Sequence, residues 1–184
     1  MSLTNDQATQ LGTSTAAGTL AVTSNGTLSQ TGALSATGAA IFTQTSTTAG
    51  TSQDMLLGSQ ANDFRSSVTF AAGSGAGIDN LSLQNTDAAP GPLTLPASIA
   101  GNLTLDYTNG SLALPVVSVG GALDASAGGG ITIANSISTG GAQTYRNAVT
   151  LGADATLAST GGGAIDFAST LDGAHALTVN TSGL

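Results

Sequence analysis

The sequence predicts an all-β chain, a parallel β-helix (β-solenoid) of roughly 20 residues per coil. Three observations carry this. Short apolar–x–apolar runs recur from one end to the other, glycine-rich turn signals stand between them, and the residues that normally coat helices are missing. The chain has no Lys, Glu or Cys, only 7% of its 184 residues are charged, and 26 are Gly.

The runs follow in order: Leu20-Ala21-Val22, Val68-Thr69-Phe70, Leu81-Ser82-Leu83, Leu93-Thr94-Leu95 and Leu103-Thr104-Leu105. They continue with Leu112-Ala113-Leu114, Val117-Ser118-Val119, Ile131-Thr132-Ile133, Val149-Thr150-Leu151, Ile165-Asp166-Phe167 and Leu177-Thr178-Val179. Period-two alternation over so few residues means short strands with one buried face. The Asn-Gly, Gly-Gly and Ser-Gly pairs between them supply positive φ at little steric cost. Strands this short make a poor two-layer sandwich. They suit a tube in which each strand pairs in parallel with those of the coils above and below, with two or three strands per coil.

A longer repeat overlies the short one. Phe64-Arg65-Ser66-Ser67-Val68-Thr69-Phe70 returns as Tyr145-Arg146-Asn147-Ala148-Val149-Thr150-Leu151, and Arg65 and Arg146 are the only Lys or Arg in the chain. Thr19–Leu28 likewise resembles Asn102–Leu112. The expected division is a partial coil or flexible start over 1–18, one solenoid module over 19–101, a second over 102–176, and the opening of a further copy over 177–184, as in a fragment of a longer array. Four coils stacked ~4.8 Å apart would give each module ~19 Å of length.

Two patches break the pattern. Residues 46–60 read as irregular, with Asp54-Met55-Leu56-Leu57 resuming a strand. Pro90-Gly91-Pro92 and Pro96 mark a loop or bulge at a coil edge, because proline cannot donate to a ladder. That loop is either a tolerated insertion or a binding loop on a rigid scaffold.

Composition excludes several classes. Disorder would need high charge and few apolar residues, whereas 40% of this chain is apolar and its mean hydropathy is positive. No candidate helix shows apolar residues at i, i+3, i+4 and i+7 opposite a charged face. No run approaches the ~20 apolar residues of a membrane helix, and no basic, hydrophobic signal opens the chain. A net charge of −8 with two arginines leaves no footprint for nucleic acid or anionic lipid. Without cysteine there is neither a disulfide framework nor a thiolate metal site.

Candidate chemistry is sparse. His175 is the only histidine, no Gly-x-Ser-x-Gly elbow exists, and Asp172 sits in a turn-like Leu171-Asp172-Gly173. Acids stacked on adjacent coils could meet: Asp106 with Asp124, and Asp154 with Asp172, are the pairs to test for a polysaccharide-acting enzyme. Gly73-Ser74-Gly75-Ala76-Gly77 lacks the features of a nucleotide loop and reads as a turn. Arg65 and Arg146 could take an acidic sugar, or each could pair with a nearby acid, Asp63 in the first copy, while the preceding aromatic packs inward. Thr13-Ser14-Thr15, Thr43-Gln44-Thr45 and Thr45-Ser46-Thr47 raise ice binding but do not recur at a coil period. Asn80-Leu81-Ser82 and Asn102-Leu103-Thr104 match the glycosylation sequon. No catalytic, cofactor-binding or metal-ligating set emerges, and no enzyme, cofactor or metal is expected.

Four stretches together resemble a known family. They are Gly26-Thr27-Leu28-Ser29-Gln30-Thr31-Gly32-Ala33-Leu34-Ser35-Ala36-Thr37-Gly38, Asn62-Asp63-Phe64 followed by a strand, Gly101-Asn102-Leu103-Thr104-Leu105, and Gln143-Thr144-Tyr145 with Val149-Thr150-Leu151-Gly152-Ala153-Asp154. Most of the chain is similar to the repeat region of large bacterial exoproteins of the filamentous haemagglutinin type, secreted by two-partner or autotransporter routes. The resemblance implies a right-handed β-helix shaft on the bacterial surface, acting in adhesion. Its implied partners are neighbouring repeats of the parent chain and host glycans or matrix proteins, with no membrane insertion. The shaft would be monomeric unless exposed ends associate.

Overall fold

The computed structural model describes residues 1–46 and 52–183. Strands stack in about nine coils of roughly 20 residues, all ladders are parallel, and no helix occurs among the described residues. The chain is a β-solenoid. Its step is read directly from the pairing, since Leu103 pairs with Leu123 and Leu123 with Gln143, 20 residues each time.

The first coil comprises β1 (Ser2–Asn5), β2 (Thr9–Leu11) and β3 (Ser14–Ala16). The second comprises β4 (Leu20–Ser24), β5 (Leu28–Gln30) and β6 (Leu34–Ala36). In β4 and in β7 (Ala40–Gln44) every second residue is buried, as period-two alternation requires. The inward residues form columns along the tube axis. Val22 pairs with Phe42 and Phe42 with Phe70, and the two phenyl rings stack with centroids 5.3 Å apart. Phe64 meets Phe42 edge-on at 5.7 Å.

The cross-section changes midway. β8 (Ser52–Phe64) is one long strand that pairs at Met55 with Leu28 of β5 and at Phe64 with Ala36 of β6, so it spans two faces. The strand expected to resume over Asp54–Leu57 is present, but it begins at Ser52 and runs on to Phe64, where irregular structure to residue 60 was expected; residues 47–51 lie outside the described residues. Next come β9 (Val68–Ala72), β10 (Gly77–Asn85), β11 (Leu93–Thr94), β12 (Ser98–Ile99) and β13 (Leu103–Tyr107). The face of β3 and β6 stops at the end of β8, and a new face begins at β12, whose following residue Ala100 donates to the Ile78 carbonyl in β10. Steps are long across this region: Ala40 to Val68 on one face and Leu28 to Met55 on the next.

After the change the coils are regular again. β14 (Leu112–Leu114), β17 (Ile131–Ile133), β20 (Val149–Leu151) and β23 (Leu171–Asp172) form one face. β15 (Val117–Val119), β18 (Ile137–Thr139), β21 (Ala155–Ser159) and β24 (Leu177–Thr181) extend the face begun by β12. β16 (Leu123–Ala127), β19 (Gln143–Tyr145) and β22 (Ile165–Phe167) extend the face shared with β2, β5, β8, β10 and β13. The two long-range sequence matches thus join different faces: Leu20 lies in β4, whereas Leu103 lies in the shared sheet.

Buried amides hold the corner where the cross-section changes. Asn62 donates to the Gln30 side chain, to the Leu57 carbonyl at 2.9 Å and to the Gln84 carbonyl at 3.0 Å, and its own oxygen accepts from Gln30 and from the Leu34 N–H. One coil further, Asn85 accepts from the Phe64 N–H at 2.9 Å and donates to the Phe64 carbonyl at 3.1 Å. A fully satisfied buried amide costs little and specifies register strongly.

The glycines serve mainly a different purpose from the one composition suggests. Positive φ occurs among the described residues only at Gly75, Gly130, Gly162 and Gly173. Elsewhere glycine permits close approach between coils. A Cβ on Gly120 would collide with the Ala100 carbonyl oxygen, one on Gly140 with that of Gly120, and one on Gly161 with that of Gly140. This column lets backbone lie on backbone at the corner leading into the shared face.

Candidate functional site

A cleft opens where one ladder is interrupted. The sheet of β1, β4, β7, β9 and β11 ends at β11, and the sheet beginning at β14 does not pair with it. Between them lies a space of about 290 Å³. Pro90, Pro92 and Leu93 line it from one coil, and Leu112 and Ala113 from the next. Ser111 and Thr132 add hydroxyls, and no charged side chain lines it.

Its walls are fixed by backbone contact. Gly91 lies so close to Ser66 and Ser67 that a Cβ would sit 2.5 Å from the Ser66 carbonyl carbon. Gly110 abuts the Pro90 ring and the Asp87 carbonyl. Asn109 donates to the Thr86 carbonyl at 2.8 Å, and Thr86 donates its N–H to the Asn62 carbonyl at 2.8 Å. The proline segment is therefore a coil-edge loop as expected, and it also lines the cleft.

Tyr107 forms the deep wall. It lines the cleft yet is only 1% exposed, and its hydroxyl is buried without a hydrogen-bond partner. An unsatisfied buried hydroxyl costs about 1–3 kcal/mol. The other tyrosine, Tyr145, donates to Gln143 Oε1 at 2.8 Å. Burial pushes both phenols above their ordinary pKa. Period-two alternation in Leu103-Thr104-Leu105-Asp106-Tyr107 points Tyr107 inward, but nothing local in the sequence marks the interrupted ladder or the orphaned hydroxyl.

The residues singled out in the sequence lie elsewhere, on the outer surface. Phe64 and Tyr145 are fully buried, and the arginine after each points outward. Arg65 pairs with Asp63 at 2.6 Å, and Arg146 pairs with Asp124 across one coil at 2.5 Å. Hydrogen bonding to these carboxylates, then their charge, raises both guanidinium pKa values. The arginines occupy different faces, Arg65 following the stretch of β8 paired with β6 and Arg146 following β19.

Each acid of the two pairs has a hydrogen-bond partner of its own. Asp106 accepts from Gln84 at 3.1 Å and Thr108 at 3.3 Å, while Asp124 is engaged by Arg146. Asp154 accepts from the Ala176 N–H at 2.9 Å and stands 3.6 Å from His175, whereas Asp172 accepts from the Gly173 N–H. Among the described residues no three His, Cys, Asp or Glu side chains gather. Asp54, Asn80 and Asn102 form an outward ladder: Asp54 accepts the Asn80 N–H and amide, and Asn80 accepts the Asn102 N–H and amide. Both sequon amides are thus engaged. Gln44 of the Thr43-Gln44-Thr45 stretch is fully buried and donates to the Gly26 carbonyl at 3.0 Å. Thr47 lies outside the described residues.

A family described as "Repeats of unknown function (DUF5649)" matches residues 1–71. The match ends within β9, after the face of β3 and β6 has stopped at β8 and before the new face begins at β12. No match emerged among curated proteins or among solved structures.

Proposed function

We propose that this chain is a non-catalytic spacer in a secreted bacterial surface adhesin of the filamentous haemagglutinin type. The observation that carries the reading is the uninterrupted shared sheet, which runs as parallel ladders from β2 to β22. Stacked hydrogen-bonded coils resist bending and leave few frayed segments for proteases, so about nine coils amount to a stiff rod of roughly 40 Å. Reach of this kind holds a binding tip away from a cell surface. Outward Asp63 and Asp124, each paired with an arginine, and Asp154, which accepts a backbone N–H, suit a solvated shaft wall.

Antibody raised against the folded chain and applied to intact source cells tests this reading. Staining of unpermeabilised cells that disappears after surface proteolysis is the expected result. Signal that appears only after lysis would overturn it.

A further inference from the structure

We propose that the interrupted ladder between β11 and β14 is a one-way joint, at which the solenoid bends toward its shared sheet and not away from it. The three faces are joined unequally at this level. On the shared face Leu81 pairs with Leu103 and Leu103 with Leu123, without a break. On the face begun by β12, Ala100 and Gly101 donate to the Ile78 and Asp79 carbonyls, and Ser98 pairs with Ser118. On the third face no ladder joins β11 to β14. Leu93 and Leu95, beside this break, are each 8% exposed, more than any other buried apolar side chain among the described residues.

The residues account for the break. β11 is only Leu93–Thr94, and Pro92 and Pro96 bracket it with no N–H to donate. A hinge needs a few positions that give way while the elements on either side stay rigid. Here the ladders of β4, β7 and β9 lie to one side and those of β17 and β20 to the other.

Packing sets the direction. Closing the cleft would press Gly110 onto the coil beneath, where a Cβ would already lie 2.4 Å from the Pro90 Cδ and 2.7 Å from the Asp87 carbonyl oxygen. Close-packed atoms resist further approach steeply. Opening the cleft breaks no ladder on this face, and it strains the Asn109 bond to the Thr86 carbonyl at 2.8 Å. Bending the opposite way would pull apart the continuous ladder of the shared sheet. The inference goes beyond the spacer reading and does not depend on it: the coils on each side stay stiff, and a sideways load is taken up at one place and in one direction.

Pulsed EPR between pairs of spin labels tests this on the full chain, which has no cysteine of its own. Ile41→Cys with Thr150→Cys spans the break along one outward column. Ser29→Cys with Thr144→Cys spans five unbroken steps on the shared face, about 24 Å at ~4.8 Å per step. Ala113→Cys with Asp172→Cys, three unbroken steps beyond the break, sets the width that the labels alone give. The pair across the break should show a broader distribution with a tail to longer distances only, and the other two pairs should stay narrow. Gly110→Ala, which wedges the cleft, should shift the Ile41/Thr150 pair to longer distances and leave Ser29/Thr144 unchanged. Equal widths for all three pairs, a tail to shorter distances across the break, or no shift with Gly110→Ala in a chain of unchanged far-UV circular dichroism would each overturn the proposal. None of these results bears on the cell-surface staining test of the spacer reading.

Discussion

Tyr107 pairs in register with Asn85 on the neighbouring strand, and the two buried side chains end in opposite states. Asn85 satisfies both the N–H and the carbonyl of Phe64, whereas the Tyr107 hydroxyl has no partner. The difference lies in what each faces. Asn85 reaches the backbone at the end of β8, where one face stops, whereas the Tyr107 hydroxyl is enclosed with no donor or acceptor beside it.

This contrast yields opposite mutational effects. Asn85→Ala should cost about 2–3 kcal/mol, because it strands two buried backbone groups. Tyr107→Phe should leave stability unchanged or raise it by up to about 1 kcal/mol, since it removes an unsatisfied group and little volume. Urea denaturation of both variants beside the parent chain measures the difference, and equal destabilisation would refute the account of this corner.

Glycine packing predicts a second asymmetry. Gly140→Ala places a methyl against the Gly120 carbonyl oxygen, and should cost about 2–4 kcal/mol through forced separation of two coils. Gly12→Ala meets nothing within 4 Å and should change stability by less than about 0.5 kcal/mol. Thermal unfolding of the pair compares the two directly.

Alkaline pH should unfold the protein. Burial raises the folded pKa of Tyr107 and Tyr145, so both stay protonated in the fold while the unfolded chain ionises near pH 10. The unfolded state therefore binds fewer protons, and stability falls as pH rises above about 10, by roughly 1.4 kcal/mol per pH unit for each tyrosine. Below about pH 9 these groups contribute no slope. Tyrosinate absorbance should appear together with loss of the β signal rather than before it.

Removing a whole coil should be tolerated. Val149 pairs with Ile131, so deletion of residues 131–148 takes out β17, β18 and β19 and brings β20 onto β14 with its inward residues still inward. The shortened chain should keep a cooperative, β-rich unfolding transition. Deletion of 131–139 alone removes β17 and β18 without their coil and should abolish cooperativity, which circular dichroism during heating will show.

Much of this was legible in the residues. Runs such as Leu103-Thr104-Leu105 and Ile131-Thr132-Ile133 carry their own period, and a strand three to five residues long with one apolar side has few stable uses besides a stacked coil. The same alternation put Phe64 and Tyr145 inside and Arg65 and Arg146 outside. The proline cluster at 90–92 marked an edge. Local signals of this kind depend on neighbours one or two residues away, and a single chain displays them in full.

Only the tertiary structure decided which coil each strand stacks upon. β8 crosses two faces, one face ends, another begins at β12, and the ladder between β11 and β14 is interrupted, although Leu93-Thr94-Leu95 and Leu112-Ala113-Leu114 read alike. Parallel pairing joins residues 18 to 28 positions apart here, as in Ile131 with Val149 and Ala40 with Val68. Register over such distances is set by what fits against the coil beneath: a glycine where backbone must touch backbone, an amide where a turn leaves peptide groups unpaired. Sequence alone thus determined that the chain builds a β-solenoid. Close packing between coils decided where that solenoid changes its cross-section and where it leaves a cleft.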